Sequence, residues 1–161
     1  MAGNWLGPEG AKALAEVLLV HCGLTSIDLS SNNLTDYGRD MTGIKELAAA
    51  LGANGALTRV DVRHNSIAGD GAAQLAAAVL GNLKIEMFNE IPIKAMRANS
   101  LMELDLNGEG VGITGVMVVA GLIPVMGALT RVDVRFNNLS EQGKEVLNAV
   151  PVGRKGLQLM L

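Results

Sequence analysis

Three stretches of the chain repeat one pattern: Leu24-Thr-Ser-Ile-Asp-Leu-Ser-Ser-Asn-Asn-Leu34, Leu57-Thr-Arg-Val-Asp-Val-Arg-His-Asn-Ser-Ile67 and Leu129-Thr-Arg-Val-Asp-Val-Arg-Phe-Asn-Asn-Leu139. Each reads L-x-x-L-x-L-x-x-N-x-L, with Val or Ile allowed for Leu. A fourth copy, Leu101-Met-Glu-Leu-Asp-Leu-Asn-Gly-Glu-Gly-Val111, keeps the apolar frame but carries Glu109 at the asparagine position. A fifth is worn: Leu80, Leu83 and Ile85 fit, Phe88 stands where the asparagine belongs, and Asn89 comes one residue late. A short unit repeated along a chain constrains the fold more than any composition does, because one unit cannot bury its own apolar face and must stack on the next.

Each copy has a second half. Gly10-Ala11, Leu14-Ala15 and Leu18 precede Leu24; Gly43-Ile44, Leu47-Ala48 and Leu51 precede Leu57; Gly115-Val116, Val119-Ala120 and Ile123 precede Leu129. In all three the glycine lies 14 residues before the strand leucine. Apolar residues at this spacing form one helical face, and the small Gly and Ala allow close approach to a neighbouring helix. Gly71-Ala72, Leu75-Ala76 and Val79 repeat the helix, followed by a strand expected early, at Leu80. Strand starts near 24, 57, 80, 101, 129 and 156 thus predict five to six units in one domain over 1–161. The stretch 35–42 is an insertion. The stretch 86–100, with Pro92 and a weak Ile93/Met96 face, is expected to hold the least regular helix.

The first half of each unit alternates inward apolar with outward polar residues, and strands joined through helices must run parallel. The recurrent asparagine turns the chain out of the strand, where its amide can satisfy loop backbone groups. On these motifs the chain resembles leucine-rich repeat proteins. The unit with G-A-x-x-L-A-x-x-L resembles the ribonuclease-inhibitor-like class, found also in NOD-like receptors and Ran GTPase-activating proteins. The resemblance covers about 10–161 and implies an α/β solenoid, a horseshoe fragment with a curved parallel sheet on the concave face and helices on the convex face. It also implies a protein-interaction role.

Composition narrows the rest. Thirteen basic against 16 acidic residues give a net charge of −3, which argues against nucleic-acid binding. The single cysteine, Cys22, excludes an intrachain disulfide framework and fits a reducing, cytoplasmic compartment. Gly110 to Thr130 carries no charge, long enough to span a bilayer, but its glycines and Pro124 and its place in the repeat frame make it an apolar repeat helix, with no membrane partner. His21, His64 and Cys22 share no frame with a nucleophile, and no phosphate loop, H-E-x-x-H or G-x-S-x-G occurs. No enzyme, metal or cofactor is expected.

The outward strand positions form columns: Asp28, Asp61, Lys84, Asp105 and Asp133 in the centre; Ser26, Arg59, Asn82, Glu103 and Arg131 before it; Ser30, Arg63, Glu86, Asn107 and Arg135 after it. The predicted protein-binding residues are Asp28, Arg59, Asp61, Arg63, Lys84, Glu86, Glu103, Asp105, Arg131, Asp133 and Arg135. Such a face suits recognition of a protein or peptide, and equally a solvated, ion-paired sheet. Asp105 and Asp133 on adjacent strands have the spacing of an acid/base pair, but the surrounding arginines neutralise them. Six strands about 4.8 Å apart make a sheet only about 24 Å wide, whose face of roughly a few hundred Å², loop rims included, falls below the roughly 800 Å² per partner of a stable interface. The alternatives are a regulator of a nucleotide enzyme acting through Arg39 in the insertion, or a fragment of a longer receptor or scaffold. The latter is favoured by a start at helix residues Trp5 to Leu19 with no preceding strand, and by the terminal strand at 156–161. Self-association is expected too, because the Gly115 helix turns Met117, Val118, Gly121 and Leu122 outward. Either that patch or the edge at 157–161 would mediate a homo-oligomer, unless the shortened neighbour covers the helix within the monomer.

Overall fold

The computed structural model describes residues 1–150 and 156–161. Among the described residues six parallel strands alternate with six helices: α1 Gly7–Val20, β1 Ser26–Asp28, α2 Thr42–Ala53, β2 Arg59–Asp61, α3 Gly69–Gly81, β3 Met87–Phe88, α4 Ile93–Arg97, β4 Glu103–Asp105, α5 Gly112–Leu122, β5 Arg131–Asp133, α6 Glu141–Asn148 and β6 Gln158–Met160. A 3-10 turn, Ile123–Val125, with Pro124 in it, follows α5. Pro8 sits in the first turn of α1, where its missing N–H costs nothing, and the Ser140 hydroxyl caps α6 by accepting from the Gly143 N–H. Trp5 lies ahead of α1 in the left-handed region rather than in the helix.

The strands form two ladders, β1-β2-β3 and β4-β5-β6, not one continuous sheet. Ser26 pairs with Arg59 and Asp28 with Asp61; Glu103 pairs with Arg131 and Asp105 with Asp133. The break follows from the third unit. Its strand begins later than the leucine pattern suggests: Arg59 pairs with Met87 and Val60 with Phe88, so Ile85, not Leu80, matches Leu57. That leaves 16 residues from Ile85 to Leu101, too few for strand, loop and full helix. After β3 the chain turns through Asn89 and Glu90, both left-handed, and folds back. Phe88 and Ile91 exchange N–H···O bonds, and the Lys94 N–H donates to the Glu86 carbonyl. The outer edge of β3 is thereby satisfied by its own chain, and β4 has nothing to pair with. The helix that remains, α4, has five residues.

The helices nonetheless pack in series, α1 on α2, α2 on α3, α3 directly on α5, and α5 on α6. The glycines make this possible. A Cβ on Gly43 would lie 2.8 Å from the Ala11 Cβ and run into the Pro8 carbonyl, and one on Gly121 would lie 2.7 Å from Leu80. One contiguous core runs between strands and helices, with Leu29, Leu47, Leu51, Leu57, Val60, Phe88, Val116 and Val132 fully inaccessible. Burial of each such side chain contributes roughly 1.5–3 kcal/mol.

The apolar patch expected on α5 does not exist. Val118 is fully buried, Leu122 is 7% exposed, and Met117 packs partly buried against the core. With α4 so short, α3 closes directly onto α5, and Leu80 seats over Gly121. The surface that should have faced solvent is the interface with the unit before last.

Candidate functional site

The strand face is built by the asparagines that end each strand. Asn65 Nδ2 donates to the carbonyls of Leu29, Val62 and Arg63, while its Oδ1 accepts from the N–H groups of Asn32 and Leu34. Asn137 donates in the same way to Leu106, Val134 and Arg135 and accepts from Val111. Both are buried. Even the displaced Asn89 accepts from the Val62 N–H. A side-chain amide thus supplies both donors and acceptors that the turning backbone lacks. The strands are held in register, and their outward residues are placed in rows.

On that face the basic groups are already engaged. Arg63 lies against Asp61, with Nε 3.0 and 3.1 Å and Nη2 2.7 Å from its carboxylate oxygens. It also reaches the Glu109 carbonyl at 2.9 Å and Glu90 at 3.4 Å, bridging the second unit to the fourth. Its side chain is 18% exposed. The hydrogen bond to Asp61 raises its pKa further. Arg59 pairs with Glu90. Arg135 holds Asp133 at 3.0 and 2.6 Å, and Arg131 approaches the same carboxylate at 3.5 Å while its Nε meets the Met160 sulfur. The Arg135 hydrogen bond holds the Asp133 carboxyl at about 2, well below the ordinary range. A proton donor needs the opposite shift, so Asp105 and Asp133, though adjacent, are not poised as an acid/base pair.

The carboxylates of the remaining strands stand differently. Asp28, Glu103 and Asp105 are exposed. Asp28 accepts from the Ser30 hydroxyl and N–H, which lower its pKa, and Asp105 accepts from the Asn107 N–H. Among the described residues none of the three has an ion-pair partner within 4.0 Å. Two expected members lie off the rows because β3 starts late. Lys84 sits exposed in the turn after α3, its N–H donating to Asn82, and Glu86 precedes β3 and pairs with Lys94 at 2.7 Å. Arg39 is 77% exposed in the 35–42 turn, 3.6 Å from Asp36. Cys22 is free and exposed, and the neighbouring His21 ring accepts from the Gly23 N–H. No group of three His, Cys, Asp or Glu able to hold a metal ion occurs among the described residues. No helix among them is long and apolar enough to cross a membrane.

A family profile described as "Leucine Rich repeat" matches residues 1–15, 21–41 and 54–76. Over those stretches the chain carries leucine-rich repeats. The chain is 28% identical to the ribonuclease inhibitor of Sus scrofa over 99% of its own length. The chain spans 37% of that relative's length. Among solved structures it resembles "Leiomodin-1 Actin-Binding Site 2 (ABS2)", 23% identical, over 55% of this chain and 49% of that one, at a TM-score of 0.48.

These leucine-rich repeats carry a second asparagine row that the sequence reading passed over. Asn54 Nδ2 donates to the carbonyls of Leu18 and His21, and its Oδ1 accepts from Ala56 and Leu57. Asn82 Nδ2 donates to Leu51 and Asn54. In the short unit Arg97 takes over, its guanidinium donating to the carbonyls of Val79, Leu80, Asn82 and Ile85. Burial lowers its pKa, with no carboxylate to offset it. The signal was present: Asn54 and Asn82 each stand three residues before the leucine or isoleucine that opens a strand.

Proposed function

We propose that the chain is a non-enzymatic protein-interaction module, one curved array of leucine-rich repeat units presenting a charged concave sheet, with its helices on the convex side. The observation that carries this reading is the asymmetry of charge on the sheet face. Arg59, Arg63, Arg131 and Arg135 all have a carboxylate within 4.0 Å, whereas among the described residues Asp28, Glu103 and Asp105 have no ion pair that close, Asp28 feeling Arg63 and Asp105 feeling Arg135 only at longer range. Committed pairs set the shape of the surface and contribute little more. These exposed carboxylates are what a partner meets, so the partner is a protein or peptide segment rich in Lys or Arg. Electrostatic complementarity of this kind gives specificity and a salt-dependent association rate. The free, exposed Cys22 is consistent with a reducing, cytoplasmic location.

Titration of the full chain with an oligolysine peptide, by calorimetry at several salt concentrations, tests the proposal. Affinity is expected to fall steadily as salt rises and to fall again in the Glu103→Gln/Asp105→Asn double variant. Binding that ignores salt, or a double variant that binds as well as the parent, refutes it.

A further inference from the structure

The chain has few rings, one Trp, one Tyr and two Phe, and it places them unevenly. Phe88 is the only one of the four in the core. Trp5, Tyr37 and Phe136 are 71, 63 and 77% exposed. All three lie at the loop edge where strands lead into helices, and the exposed His64 joins them there. His64 and Phe136 occupy the same position of their units, each followed by the buried strand-end asparagine. Both hold left-handed backbone, φ 59°, the conformation that Ser31 and Gly108 take at the same position of the first and fourth units. Large rings left in solvent where a core was available mark a contact surface.

The rings frame space. Trp5 and Tyr37 meet edge to face, centroids 6.4 Å apart. With His64, Ser31 and Ser66 they enclose a cavity of about 180 Å³ whose lining contains no Asp, Glu, Lys or Arg. A second cavity of about 190 Å³ shares His64 and Ser66 and continues along the rim toward the residues next to Phe136. The polar heads here, Trp5 Nε1, the Tyr37 hydroxyl and the Ser31 and Ser66 hydroxyls, are donors with no partner among the described residues. Arg63, already committed to Asp61 and the Glu109 carbonyl, is the one charged residue lining the second cavity, and the first has none; aromatic bodies bearing donor heads complement a segment that offers flat apolar rings and carbonyl acceptors but few N–H groups. A proline-rich strand in the polyproline II conformation has that chemistry.

We infer that this loop edge is a binding site for an uncharged, proline-rich peptide. The inference rests on the reading of the chain as an interaction module but not on the charged sheet face, and names a second surface with its own partner class. Trp5 is the only tryptophan, so its emission reports the site directly. Titration of the full chain with decaproline is expected to move that emission to the blue, saturably, and to do so equally at low salt and in about 0.5 M NaCl, where charges are screened beyond a few Å. Tyr37→Ala should weaken binding about tenfold, as truncating an aromatic anchor does, and Phe136→Ala several-fold, while Lys12→Ala on α1 leaves it unchanged. Circular dichroism verifies that each variant is folded; both rings are exposed, so the fold does not depend on them. Four results overturn the inference: no saturable shift, binding that weakens with salt, a folded Tyr37→Ala that binds like the parent, or tighter binding of a neutral oligosaccharide than of decaproline. Failure of oligolysine binding alone removes the sheet-face reading and leaves this site standing.

Discussion

Replacing Asn65 by Ala removes five hydrogen bonds at once, and the repeat supplies its own control in Asn137. Both amides donate to three carbonyls at equivalent positions, Leu29, Val62 and Arg63 in one case and Leu106, Val134 and Arg135 in the other. They differ on the acceptor side. Asn65 Oδ1 takes the N–H groups of both Asn32 and Leu34, whereas Asn137 takes only that of Val111. The missing partner is at Glu109, which occupies the asparagine position of the fourth unit and sends its N–H to the Leu106 carbonyl. Leaving one buried N–H unpaired costs about 1–3 kcal/mol. Asn65→Ala orphans two, roughly 2–6 kcal/mol, and Asn137→Ala orphans one. The three carbonyl losses are common to both and cancel in the comparison. Asn65→Ala is therefore expected to be the more destabilising by about 1–3 kcal/mol, a large share of a domain stability of about 5–15 kcal/mol. Urea unfolding followed by circular dichroism measures both, with an unchanged m-value confirming that the same cooperative unit is compared. Equal losses, or a larger loss for Asn137→Ala, would show that the backbone N–H groups find water and that the ladder is not what holds the strand ends.

Gly43→Ala puts a methyl 2.8 Å from the Ala11 Cβ and against the Pro8 carbonyl, and should cost about 1–3 kcal/mol. Gly81→Ala, at the end of α3 with open space around it, should be neutral or stabilise by up to about 1 kcal/mol. A pair of melting curves checks both signs. Acid should act through Asp133, whose carboxyl titrates near 2 in the fold instead of 3.8. Because the folded value is the lower one, its contribution is complete above the ordinary carboxylate range and is lost as pH falls from about 4 through 2. Asp133→Asn should flatten stability across that window, and Arg135→Ala should move the Asp133 titration, followed by NMR, upward.

Much of the fold was legible because the repeat states it several times. Where two statements conflicted, the leucines misled. Leu80 and Leu83 look like a strand opening, yet Leu83 is 79% exposed and Leu80 belongs to α3, packed over Gly121. The helix frame was the better guide: Gly71 plus the same 14 residues reaches Ile85, and Asn82 precedes Ile85 as Asn54 precedes Leu57. In the third unit the glycine and asparagine positions hold the register that Leu80 and Leu83 lose. The burial of Val118 and Leu122 was not legible, because it depends on α4 being too short to separate α3 from α5, a tertiary consequence of a missing dozen residues. On the sheet face the charges could be read, but their pairing could not. The Asp-Val-Arg segments at 61–63 and 133–135 place acid and base on one side of a strand, and only the geometry shows each arginine folded back onto its own aspartate.

The broken sheet bears on how such an array behaves as a linear polymer of units. Cooperativity in a solenoid passes through nearest-neighbour interfaces, and here the fourth unit receives no backbone ladder from the third. The halves are coupled instead through the α3–α5 contact, Arg63 reaching the Glu109 carbonyl, and Asn89 donating to the Val111 carbonyl. Residues between Phe88 and Leu101 thus form a seam. A unit inserted or deleted there disturbs side-chain contacts but severs no strand pairing, since the edge of β3 is already closed by Ile91 and Lys94. The array is divisible at that point, and recombination or duplication of repeats meets its lowest structural barrier there.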